Sequence, residues 1–102
     1  MKSEWRTLVE RFILNNLGKM AQEDVDAWLG NEVAFAQLLE PVLKNFGPFR
    51  DNVLRELHQL SPSEIYDIWR LEHPELRFPD NDVVIVKLGT ELNAIKSIVQ
   101  SL

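Results

Sequence analysis

The side chains that could do chemistry in this chain are two histidines and sixteen carboxylates, with no cysteine among its 102 residues. A zinc site takes three or four nitrogen or sulfur ligands. Only His58 and His73 could supply them, and they fall on different predicted helices with neither in a chelating i,i+4 pair. The missing cysteine also excludes disulfides, iron–sulfur clusters and thiol chemistry. Asp80-Asn81-Asp82 matches the opening of a calcium loop, but Val84 stands at the third ligand position and Ile85 where the turn needs glycine. It reads as a loop ending in a helix-capping aspartate. The carboxylate pairs Glu23/Asp24 and Glu72/Glu75 read as solvated faces, because acid–base work needs a shaped, partly dry pocket. No glycine-rich phosphate loop, nucleophile elbow or H-E-x-x-H is present. No catalytic, cofactor-binding or metal-binding residue is therefore assigned, and an enzyme is not expected.

The elements that must position any site follow from the apolar spacing. Hydrophobic residues at 45% and charged residues at 26% suit one globular domain over residues 1–102. Glu4, Arg6, Glu10 and Arg11 interrupt the apolar residues of the N-terminus, so a signal peptide is not expected there. The longest apolar run, Val83 to Val86, is far short of a membrane span. A soluble, cytoplasmic protein is expected.

Ser3 caps a first helix to Leu17, and a second runs over about Gln22 to Leu29. A third begins at Asn31 as N-cap, with Phe35, Leu38, Leu39, Val42 and Phe46 on one side. Pro41 should kink or break it near Leu39–Glu40. Gly18, Gly30 and Gly47 each follow such a segment, where a helix end favours left-handed backbone. A fourth helix spans Phe49 to Leu60 with an Asp51/Arg55 pair at i,i+4. A fifth opens on a capping box, Ser61 with Glu64, and Pro74 stops it.

The last segment supports two readings. "VVIVKL" has strand composition, yet Val84, Leu88, Leu92, Ile95, Val99 and Leu102 form one helical stripe. A lone strand cannot pair its backbone within a monomer, so residues 83–88 as strand would require a dimer. The expected fold is all-α: five or six short helices around Trp5, Phe12, Phe35, Leu57, Ile68, Trp69, Leu92 and Ile95.

Over residues 61–92 the order of cap, helix, His-Pro stop and second helix resembles the paired DNA-proximal helices of winged-helix repressors. That resemblance implies duplex recognition by the second helix. The chain departs from it where bases would be read, since that helix opens with Asp80, Asn81 and Asp82 near only Arg77 and Lys87. Residues 61–102 hold four Lys/Arg against seven acids, the wrong balance for phosphate. Nucleic acid is not the expected partner, and a helix-turn-helix regulator is the alternative reading.

The leading expectation is a non-catalytic interaction or regulatory module that engages a protein partner or a second copy of itself. Trp5 and Trp69 sit on apolar stripes and read as core. Trp28, near the end of a short helix, is the candidate aromatic anchor, with Phe49 behind it. Val83, Val86 and Ala94 head a small, uncharged second stripe on the last helix and complete the candidate surface.

Overall fold

A computed structural model describes residues 3–102, so Met1 and Lys2 of the domain read over 1–102 lie outside the described residues. The described chain is all-α. Six α-helices follow in order: α1 (Glu4–Leu17), α2 (Gln22–Leu29), α3 (Phe35–Leu43), α4 (Arg50–Gln59), α5 (Pro62–Glu72) and α6 (Asn81–Gln100), with a 3-10 helix over Lys44–Phe49. None is long and apolar enough to cross a membrane.

The helix starts obey the caps. Ser3 Oγ accepts from the Arg6 amide, and Ser61 Oγ accepts from that of Glu64. Asp80 Oδ1 accepts from the Asp82 and Val83 amides, as expected of a capping aspartate. Residues 83–88 are helical, because α6 buries Val84, Leu88, Leu92, Ile95 and Val99 against α3, α4 and α5. α1 packs across α4 and α5 on the other side.

Of the expected core, Phe35, Leu57, Trp69, Leu92 and Ile95 are buried, while Trp5, Phe12 and Ile68 are partly buried against it. Edge-to-face rings tie the centre together: Trp69 meets Trp28 at 5.9 Å and Phe78 at 4.8 Å.

Four local expectations fail: left-handed backbone at Gly18, Gly30 and Gly47, the Asn31 cap, the break at Pro41 and the Asp51/Arg55 pair. Asn31 does not cap the third helix; it ends the second. Its φ of 62° makes it the left-handed residue, while no described glycine has positive φ. The Glu32 amide then reaches the Ala27 carbonyl at 2.8 Å and the Asn31 amide that of Trp28 at 3.1 Å, a Schellman closure. Asparagine tolerates this backbone better than most side chains do. Pro41 does not break α3, which runs on to Leu43 before tightening into the 3-10 helix. Pro41 and Gln37 both face solvent, which can satisfy the Gln37 carbonyl that Pro41 cannot pair. Asp51 pairs with Arg50 at 3.5 Å rather than with Arg55.

Candidate functional site

The composition of α3 creates a surface. Six of its nine residues are apolar, Phe35, Ala36, Leu38, Leu39, Val42 and Leu43, and a helix packed from one side cannot bury them all. Phe35, Ala36, Leu39 and Leu43 face the core. Leu38 and Val42, four apart, are left 58% and 42% exposed. They were expected on the buried side; the phase is set instead by the Phe35-Ala36 pair at the helix start.

Beside them lies a cleft of about 540 Å³ between the end of α1, α2 and α3. Met20, Ala27, Val33, Leu38, Leu39 and Val42 line it, with Lys19 and Asp24 at its edge. A second depression shares Val33 and Leu38 and extends over Asn31, Glu32 and Gln37 to Lys87 and Thr90 of α6. A third shares Asn31, Lys87 and Thr90 and ends on Leu29, Val83 and Val86. The three form one band around the α2–α3 turn.

A buried carboxylate holds this band in shape. Glu91, on the inner side of α6, is 7% exposed. Its Oε2 accepts from Trp28 Nε1 at 2.6 Å and from the Phe35 amide at 2.5 Å; its Oε1 accepts from the Ala36 amide at 3.3 Å. Phe35 and Ala36 open α3, whose N-cap Ala34 has no side chain able to cap. Glu91 supplies that cap from another helix, and its charge sits at the positive end of the α3 dipole. Both oxygens are engaged in this way.

The candidate partner-binding residues separate. Trp28 is not an exposed anchor: it is fully buried, hydrogen-bonded to Glu91 and roofed by Lys87, whose Nζ lies 5.6 Å from the ring centre. Lys87 is itself held by Asn31. Val83 and Val86 are 51% and 70% exposed and sit together in the band. Ala94 is half-buried against the core rather than at the centre of the exposed stripe. Phe49 is 48% exposed but packs at a tilt against Trp5, ring centres 5.3 Å apart, beside a different depression, over residues 47–52 and Leu102.

Two other polar clusters have structural partners. Tyr66 Oη donates to Asn81 Oδ1 at 2.5 Å, and Arg70 lies 5.0 Å over the Tyr66 ring. Burial pushes the Tyr66 phenol above its ordinary value, against the opposing pull of Arg70. His73 Nδ1 lies 3.2 Å from Glu75, whose carboxyl is held below its usual range first by a hydrogen bond from its own backbone amide and then by His73. Among the described residues no group of three or more metal-ligating side chains is assembled.

Sequence reasoning missed Glu91, Leu38 and Val42. The signal for Glu91 was its place on the buried side of the α6 stripe, between Leu88 and Leu92. Comparison with protein-family models, curated proteins and solved structures returns no match.

Proposed function

We propose that this protein is a non-catalytic interaction module whose docking surface is the cleft between α2 and α3. The observation that carries this reading is the exposed Leu38/Val42 pair beside an apolar cleft of about 540 Å³. Side chains four apart on one helix, next to a groove, suit the packing of a partner helix. The buried carboxylate, the group most suggestive of catalysis, is occupied in capping α3.

The helix-turn-helix alternative gains no support. Eight residues, 73–80, separate α5 from α6, where such motifs use a turn of three or four. Asn81, at the start of the second helix, is engaged by Tyr66 and Arg70.

The test is affinity capture with the wild-type chain and with Leu38→Asp/Val42→Asp, whose substituted positions face solvent. A partner retained by the wild type and lost by the folded variant supports the reading. Identical captured sets would end it.

A further inference from the structure

We infer that the occupant of this cleft is a basic amphipathic helix of a partner protein, an inference that rests on the docking surface proposed above. Residues 22–43, which form α2, the turn and α3, contain Glu23, Asp24, Asp26, Glu32 and Glu40 and no lysine or arginine, with Lys19 and Lys44 flanking them. Their charge of −5 equals that of the whole chain, because the remaining residues hold eleven acids against eleven Lys/Arg. None of these five carboxylates forms an ion pair among the described residues. Acids elsewhere do: Glu72 pairs with Arg11 at 2.8 Å, Asp67 with Arg70 at 3.4 Å and Asp51 with Arg50 at 3.5 Å. The cleft therefore lies between two helices whose own charge is all negative: Asp24 stands on its edge beside Lys19, Glu32 shares the adjoining depression with Lys87, and Glu40 lies on another face of α3 beside Lys44. Lys19 is the one cation lining the cleft.

This charge selects among occupants. A second copy docked face to face would bring two segments of charge −5 together. An anionic membrane or a nucleic acid carries the same sign. A helix with an apolar stripe flanked by Lys and Arg satisfies both the groove and its rim. The nine residues of α3 span about 13 Å, enough for apolar anchors at i, i+4 and i+7.

The probes are two labelled peptides of about 18 residues with the same leucine stripe, one otherwise lysine and one otherwise glutamate. Anisotropy is read with the full chain. The lysine peptide should bind at least about tenfold more tightly than the glutamate peptide, and about 0.5 M salt should narrow that gap. Asp24→Lys/Glu32→Lys should remove most of the preference. Asp51→Lys/Asp67→Lys makes the same change in charge away from the cleft and should alter affinity by less than about twofold. Leu38→Asp should weaken both peptides.

If neither peptide binds, the docking surface itself fails. If both bind equally and depend on Leu38, the surface stands and the basic partner is wrong. Equal losses from the Asp51/Asp67 and Asp24/Glu32 reversals would mean overall charge rather than a built rim, and would also overturn it. So would Leu38-dependent binding to phosphatidylglycerol vesicles, which would make the cleft a lipid contact.

Discussion

Replacing Glu91 by alanine should be among the most damaging single changes in this protein. The substitution strands three donors at once: the Trp28 indole N–H and the amides of Phe35 and Ala36. Leaving a buried donor unsatisfied costs about 1–3 kcal/mol, and hydrogen bonds to a charged group lie toward the upper end. The depression over Asn31, Glu32 and Lys87 that Glu91 borders is open enough to admit water after truncation, which favours the lower end for each donor. The sum is about 3–5 kcal/mol, a large share of the roughly 5–15 kcal/mol that holds a domain of this size together. Glu91→Gln keeps one acceptor oxygen for Trp28 and Phe35 and turns an amide toward the more distant Ala36 N–H, so about 1–2 kcal/mol is expected. Guanidinium melts followed by circular dichroism measure both. Trp28→Phe removes one of the three donors, so it should cost at least about 1 kcal/mol less in the Glu91→Ala background than in the wild type. Additive costs, or a Glu91→Ala protein within about 1 kcal/mol of wild type, would refute the capping role.

The two buried tryptophans should respond differently to loss of their N–H. Trp28 donates to Glu91, whereas Trp69 Nε1 is buried with no hydrogen-bond partner; in chemical denaturation Trp28→Phe should therefore cost about 1–2 kcal/mol more than Trp69→Phe. Gly89→Ala should stabilise α6 by up to about 1 kcal/mol, since the added methyl would meet Pro62 at an ordinary 3.5 Å; an unchanged or lower thermal midpoint would contradict this. Tyr66 is the only tyrosine, so phenolate absorbance near 295 nm reports it alone. Its folded pKa is raised by burial above 10.0, so its contribution is fully present below about pH 10 and is lost as pH rises through the folded value. That alkaline loss should be smaller in Tyr66→Phe, and equal declines in the two proteins would count against it.

The helix inventory was legible because it rests on local chemistry. Ser3 and Ser61 cap where their spacing says they should, and Pro74 ends α5. The helical stripe of residues 84–99 outweighs its strand composition, since the described residues contain no strand to pair it. What failed depended on tertiary phase. In α3, apolar residues occupy too much of the circumference for periodicity to say which are buried. The short α2 gave Trp28 too few neighbours in sequence to show that Trp69, Lys87 and Glu91 enclose it. Asn31 had the right character for either a start or a left-handed stop, and the choice follows from how the chain leaves α2.

The charge pattern depends on where the chain is divided. Split at residue 50, the halves carry −1 and −4 and suggest an acidic C-terminal half. Counted from the start of α2 to the end of α3, residues 22–43 carry −5, the charge of the whole chain. That concentration costs stability through self-repulsion, and no cation within the segment offsets it. Glu91 bears on this directly. It adds a sixth carboxylate beneath the segment, yet it holds Trp28 of one cleft wall and the first turn of the other. One side chain therefore fixes the spacing of α2 and α3, and with it the width of the cleft. A Glu91→Gln protein that still folds should lose peptide affinity before it loses helix content, because the loosened contacts are those between the two walls. If its affinity is unchanged while its stability drops, the groove is shaped by the apolar contacts of Met20, Val33 and Leu39 alone. The carboxylate would then be a cap and nothing more.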